Sequence, residues 1–296
     1  MHIERLHSID RETLVGSYLA RNRPVVIRLR DRRWLSAWAS AALAARYGQT
    51  KIQAEERRHF YVEPRRIPTR SLGSLLARIA QNERRARWTV ETVPELRAAL
   101  LADPAPYEPL FPEGTSGRRT TLWISPCETS SLHHDGDYDN FNLQIEGKKV
   151  FRLVPPSQRA LLYCYGSAES PIDPFAPDRA RFPRFDDADV FDAELAPGDM
   201  LVIPKYWWHC VETIEPSVNL ATFFRWPGAP SPWSVLAGAP IVPRALTAVS
   251  AAMKKRDLIG LANVGRRAWW TAYQAVVPRI EPQARGARPG VSRSAG

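Results

Sequence analysis

The run Ser130-Ser131-Leu132-His133-His134-Asp135-Gly136-Asp137-Tyr138-Asp139-Asn140 crowds two imidazoles and three carboxylates into a short span. On an extended backbone side chains alternate with period two, so His133 and Asp135 point the same way. From one strand end they could grip a single metal ion. A third ligand is on offer at His209, at the end of Gly198-Asp199-Met200-Leu201-Val202-Ile203-Pro204-Lys205-Tyr206-Trp207-Trp208-His209. Two histidines and one carboxylate on one face of an octahedron, with other positions open, form the ligand set of non-haem Fe(II) oxygenases. His-x-Asp alone arises often by chance, so its surroundings matter. His209 follows a Pro197-Gly198-Asp199 turn and an apolar strand, which would deliver it to the opposite side of a barrel. Trp207 and Trp208 beside it would exclude water and rigidify the ring. Lys149 follows the acidic cluster on a strand. A 2-oxoacid chelating iron through one end needs a cationic or hydroxyl partner for its far carboxylate. The neighbouring Lys148 leaves open which lysine faces inward.

The elements that must position these groups are strands. Thr120 to Ser125, Asn140 to Ile145, Lys149 to Val154, Met200 to Ile203 and Val218 to Phe224 read as strands. They are separated by Glu146-Gly147, Pro155-Pro156, Pro197-Gly198 and Glu215-Pro216, turn chemistry expected of a sandwich or barrel. Between Cys164 and Asp192 a Pro- and Asp-rich excursion shows no period, and such loops are often binding loops or lids. Upstream, Val25 to Leu29 reads as a buried strand, and Trp34 to Tyr47 as a helix stopped by Gly48. Lys51 to Ala54, Phe60 to Val62 and Trp88 to Val90 read as further strands. Ser71 to Gln81 is an amphipathic helix with Leu72, Leu75, Leu76 and Ile79 on one face. Pro94 to Leu101 fits a short helix, and Ala102 to Gly117 a loop. The fold class expected is mainly β, a double-stranded β-helix or jelly roll, with flanking elements. Residues 1–112 would pack on a catalytic core at 113–230, followed by a helical segment at 231–280 and a disordered tail at 281–296.

Length and composition fit a soluble globular chain of 296 residues. No apolar run approaches the roughly 20 residues a membrane span needs, and the first residues lack a signal-peptide core. The three cysteines, Cys127, Cys164 and Cys210, are scattered, so neither a disulfide framework nor a zinc knuckle is indicated. A reducing cytoplasm is the expected compartment. The net charge of +10 is unevenly placed: residues 1–100 hold 20 Lys+Arg against 10 Asp+Glu, 101–230 hold 11 against 19, and 231–296 hold 10 against 2. Basic flanks could attract an acidic substrate, an acidic protein or RNA; a solvated Arg-rich surface is the plainer explanation.

Taken together the motifs resemble the cupin-like JmjC oxygenases, the family of the asparaginyl hydroxylase of hypoxia-inducible factor and of the wybutosine-tRNA hydroxylase. The resemblance rests on Leu132-His133-His134-Asp135, Asn140, Gln144, Gly147-Lys148-Lys149, Pro155-Pro156, Pro197-Gly198-Asp199, Trp207-Trp208-His209 and Ser217-Val218-Asn219, over about residues 120–225. It implies iron held by His133, Asp135 and His209. It also implies 2-oxoglutarate reaching Lys149, a hydroxyl at Ser130, and Asn140 and Asn219 lining the pocket. The co-reactant would be O2. One departure matters. The family's spacing from ligand histidine to asparagine is one residue shorter than His133 to Asn140, so counting back from Asn140 puts His134 in the ligand place and Gly136 in the acid's. Leu132 before His133, and Asp135 two residues on, favour His133, with Gly136-Asp137 absorbing the extra residue. His134 and Asp137 stay as rivals.

The expected function is therefore an Fe(II)- and 2-oxoglutarate-dependent hydroxylase. A non-oxygenase metal-binding cupin and an inert binding module are the alternatives. The acceptor could be a protein or peptide side chain, a tRNA base or a small metabolite. Ile259, Leu261, Ala262, Val264, Trp269, Trp270, Tyr273, Val276 and Val277 load one segment with apolar area that its own domain or a second chain must cover; a homodimer through residues 240–277 is expected.

Overall fold

The computed structural model describes residues 1–52, 55–56, 65–66, 70–81, 88–90, 94–164 and 168–231. The strand expected at 60–62, the tail at 281–296 and the dimer face at 240–277 lie outside these residues. Among the described residues no helix is long and apolar enough to cross a membrane.

The strands upstream of residue 100 are β1 (Arg5–Leu6), β2 (Val25–Arg28), β3 (Lys51–Ile52), β4 (Glu55–Glu56), β5 (Arg65–Arg66), β6 (Arg70–Ser71) and β7 (Trp88–Val90). Helices α1 (Arg11–Leu14), α2 (Arg32–Trp38), α3 (Ser40–Tyr47), α4 (Leu72–Ala80) and α5 (Pro94–Ala102) alternate with them. Apart from short 3-10 turns at Glu108–Leu110, Pro156–Leu161 and Pro183–Asp187, the regular elements that follow are strands: β8 (Ser116–Ser125), β9 (Leu132–His133), β10 (Asp139–Glu146), β11 (Lys149–Val154), β12 (Glu169–Ser170), β13 (Phe191–Leu195), β14 (Asp199–Ile203), β15 (Trp208–Thr213) and β16 (Ser217–Arg225). They form a seven-stranded sheet in the order β1-β2-β14-β10-β16-β8-β7 and a five-stranded sheet in the order β12-β9-β15-β11-β13. This is the jelly roll expected. Met1 to Ile3 stitch the two sheets together: Ile3 N–H donates to Asp192 O of β13 at 3.0 Å, and β1 then pairs with β2 in the larger sheet.

Strand β10 shows how alternation sorts the two sides of the larger sheet. Phe141, Leu143 and Ile145 join the core beneath the helices, with Val25, Ile27, Met200, Val202, Leu220 and Phe224. Asn140 and Asn142 turn to the space between the sheets. That interior is apolar on one side, where Val26, Leu201 and Ile203 meet Phe151, Leu153 and Leu195, and polar on the other.

Local signals explain several elements. Helix α4 starts at Ser71, whose hydroxyl accepts from Ser74 N–H at 3.2 Å, and it buries Leu72, Leu75, Leu76 and Ile79, worth roughly 1.5–3 kcal/mol each. In the Pro-Gly-Asp turn Gly198 adopts φ +91°, open to glycine and strained for other residues. Asp199, buried at its end, pairs with Arg5 at 2.8 Å and Arg28 at 2.9 Å.

Three expectations are corrected. Trp34 to Tyr47 is two helices, broken where Ala39 is extended at ψ 161°. The cause is tertiary: the Glu146 carboxylate accepts from Ser40 N–H at 2.6 Å and from its hydroxyl at 2.7 Å, capping α3 from the end of β10. Gly48 is not left-handed (φ −56°); glycine is needed there because a Cβ would lie 2.3 Å from Ala44 O. The described residues of the Cys164–Asp192 excursion are not shapeless, and none of them lines the cavity between the sheets. Ile172, Phe182 and Phe185 pack with Leu132, Val154, Trp208 and Cys210, on the outer side of the five-stranded sheet.

Candidate metal centre

His133 ends β9 and pairs directly with His209 of β15, so cross-strand register brings together two residues far apart in sequence. Their ring centroids lie 4.4 Å apart. Asp135 follows the strand, and one ligand atom from each of His133, Asp135 and His209 falls within 4.8 Å of the others. Asp135 Oδ1 is 4.0 Å from His133 Nε2, and Oδ2 is 3.6 Å from His209 Nε2.

The outer contacts of the three fix what they present. His133 Nδ1 lies 3.0 Å from Ser131 O and His209 Nδ1 3.1 Å from Trp207 O. A carbonyl only accepts, so each Nδ1 carries a proton and each ring turns its Nε2 to the others. Asn140 Nδ2 donates to Asp135 Oδ2 at 3.1 Å, leaving Asn140 Oδ1 a buried acceptor without a partner. Two imidazole lone pairs and a carboxylate, each oriented by an outer hydrogen bond, fit a divalent transition metal.

The rival residues are occupied elsewhere. The ring of His134 sits edge-on to Trp208 at 4.6 Å, and its Nδ1 accepts from Gly136 N–H at 3.0 Å. Burial, chiefly, pushes its pKa down to about 4. Asp137 takes a two-pronged bond from Arg225, Nε to Oδ2 at 2.9 Å and Nη2 to Oδ1 at 2.8 Å. Between them Gly136 turns at φ +70°.

A cavity of about 80 Å³ opens on the three residues. Ser130, Asn140, Lys149 and Asn219 all line it, together with His133, Asp135 and His209. Lys149 is buried. Lys148 points out, its side chain 58% exposed and 2.9 Å from Glu215, whose bond raises its pKa. The Ser130 hydroxyl accepts from Val211 N–H at 2.8 Å and donates to Ser131 O at 3.0 Å. Asn219 Nδ2 donates to Leu143 O at 3.1 Å. Both therefore also brace the walls.

Sequence reasoning missed Asn142, Thr213, Glu128 and Trp123, which line the same cavity. Asn142 was legible, two residues from Asn140 on one strand. Thr213 was not: it faces Lys149 only through the β11–β15 register. Trp207 and Trp208 do not line the cavity. Trp208 packs behind the sheet, and Trp207 Nε1 donates to Asn22 Oδ1 at 2.8 Å.

The cupin-like domain family matches residues 11–228 of the chain. The chain is also similar to the HSPB1-associated protein 1 homolog of Danio rerio, 37% identical over 119 residues, covering 37% of this chain and 26% of that protein. With HSPB1-associated protein 1 of Homo sapiens it shares 36% identity over 113 residues, 36% of this chain and 23% of that protein. Against Lysine-specific demethylase 8 of Xenopus tropicalis the figures are 33% over 108 residues, 35% and 24%. The chain thus spans about a quarter of the length of these relatives.

Proposed function

Because the chain belongs to the cupin-like domain family, as a JmjC-type cupin related to 2-oxoglutarate-dependent demethylases, we propose that it is an Fe(II)- and 2-oxoglutarate-dependent oxygenase hydroxylating a protein or peptide side chain. One observation carries the reading: His133, Asp135 and His209 converge within 4.8 Å in a polar cavity that Lys149 also lines. Bound by these three, Fe(II) supplies O2 chemistry coupled to oxidation of 2-oxoglutarate, with succinate and CO2 as co-products.

The chain's own groups do the rest. His133 and His209 each hold a proton at Nδ1, bonded to the Ser131 and Trp207 carbonyls, which leaves Nε2 as the atom each offers to a metal. Asn140 anchors one Asp135 oxygen. Lys149 receives the far carboxylate of the cosubstrate in a charge-assisted bond. Its backbone pairs with Thr213, while His209 pairs with Leu153, which sets lysine and ligand roughly 13 Å apart along the strands at ~3.3 Å per residue. Phe151, Val211, Ala221 and Phe223 line the same space and make part of its wall apolar.

A protein acceptor is favoured over a tRNA base or metabolite because the relatives' names, HSPB1-associated protein 1 and Lysine-specific demethylase 8, speak of a protein partner and of lysine. The test is turnover: with Fe(II) and O2 the protein should convert 2-oxoglutarate to succinate, and Asp135→Ala should not. Succinate no higher than that variant's background sinks the oxygenase. Metal binding without turnover would leave a metal-binding cupin in its place.

A further inference from the structure

Between the ligand Asp135 and the start of β10 the chain makes a short turn whose polar groups are tied to other elements. Gly136 O accepts from Tyr206 N–H at 3.0 Å, on the segment that leads into His209. Gly136 N–H is held by the His134 ring. Asp137 offers both oxygens to Arg225, at 2.8 and 2.9 Å, and the guanidinium also lies 3.8 Å over the Tyr138 ring. Arg225 is the last residue of β16, a strand paired on both sides within the seven-stranded sheet. A bidentate fork fixes direction as well as distance, which a lone ammonium cannot do.

We propose that Arg225 is a positioning residue for the metal centre: through its fork on Asp137 it fixes the Gly136 turn, and with it the Asp135 carboxylate, against the seven-stranded sheet. This rests on the reading of His133, Asp135 and His209 as ligands. Two magnitudes separate the role from simple stabilisation. The Arg225 and Asp137 side chains are 40% and 42% exposed, and ion pairs that open to water add little to stability. Outer groups that orient a metal ligand, by contrast, change metal affinity about 10–100-fold when removed. The clamp acts one residue farther out than Asn140, so the lower end of that range applies.

The experiment uses the full chain and Co(II) as the probe, with two readouts: the Co(II) dissociation constant and the thermal midpoint without metal. Arg225→Gln and Asp137→Asn should each weaken Co(II) about tenfold, with midpoints within about 3 °C of the parent. The double variant should be no worse than either single one, because each single change already breaks the same clamp. Arg225→Lys, which keeps the charge and loses the fork, should recover only part of the affinity. Unchanged Co(II) affinity in both single variants overturns the proposal, as does additivity in the double variant. Should Arg225→Gln fail to fold, Asp137→Asn alone decides. If the parent protein binds no Co(II), or His133→Ala binds it equally well, the ligand assignment itself has failed, which is a different result.

Discussion

The five-stranded sheet presents His133, His209 and Lys149 to the cavity, whereas the seven-stranded sheet opposite presents Asn140, Asn142 and Asn219. The layers behind them differ too. Behind the amide wall lie Phe141, Leu143 and Phe224, in one core with Tyr107, Phe111 and the faces of α2 to α4. Behind the ionisable wall lie Trp208 and Cys210, covered by Ile172, Phe182 and Phe185 from a segment of short turns. Neutral amides keep their hydrogen-bonding character at any ordinary pH and tolerate burial when bonded. The ionisable groups gain their function only where a ligand or metal meets them. On the proposed function one wall would carry much of the stability and the other the chemistry, and substitutions should separate the two.

The largest effect is expected at the ionisable wall. His133→Ala, Asp135→Ala and His209→Ala should each abolish Co(II) binding in a titration, while His134→Ala should keep it. Loss of binding in His134→Ala with retention in His133→Ala would shift the register by one residue.

Next in size is the amide wall's backing. Phe141 is fully buried and stacks on Phe111 at 5.0 Å, so Phe141→Ala should cost about 3–5 kcal/mol in denaturant unfolding. Co(II) affinity of the folded fraction should stay close to the parent's, because Phe141 faces the core on the side of β10 opposite Asn140 and the cavity. A parallel fall in both would erase the division between the walls.

A third effect is pH-dependent and also belongs to the amide wall. Asp139 heads β10, accepting from Lys205 N–H at 3.0 Å and Trp226 Nε1 at 3.1 Å. Burial, chiefly, lifts its pKa to about 6 from an ordinary 3.8. The folded protein then holds this proton more tightly than the unfolded chain does. The resulting stability is fully present below pH 3.8 and is lost as pH rises through about 6. Against Asp139→Asn, the metal-free parent should lose about 3 kcal/mol of relative stability across that window. A difference flat with pH would show that Asp139 does not titrate there.

The smallest effect concerns the cosubstrate. Lys149→Ala should weaken 2-oxoglutarate binding by about 1.5–3 kcal/mol while leaving the metal in place. The exposed Lys148→Ala should do almost nothing, since its pair with Glu215 is a surface one. Equal effects in isothermal titration would mean that the cosubstrate does not reach the interior lysine.

Much of this was legible in the sequence wherever a signal repeats within one turn or one strand. Helix α4 announced itself through Ser71 and the spacing of Leu72, Leu75, Leu76 and Ile79, and the observed helix buries those four residues. The run from Asn140 to Ile145 ahead of the Glu146-Gly147 turn marked β10 as a strand. The Pro197-Gly198-Asp199 turn followed from glycine's access to positive φ. In the same way the candidate ligands could be named from residue type and short spacing. Only the tertiary structure sets His133 at the cavity and His134 against Trp208, a difference that residue spacing left open. It also put Lys149 inside and Lys148 outside, set Thr213 opposite Lys149, broke the expected helix at Ala39 with a carboxylate from β10, and brought Arg225 onto Asp137. The physical reason is range. Periodicity reports only what a residue shares with its near neighbours, whereas cross-strand register and burial depend on residues that meet only when the sheets close.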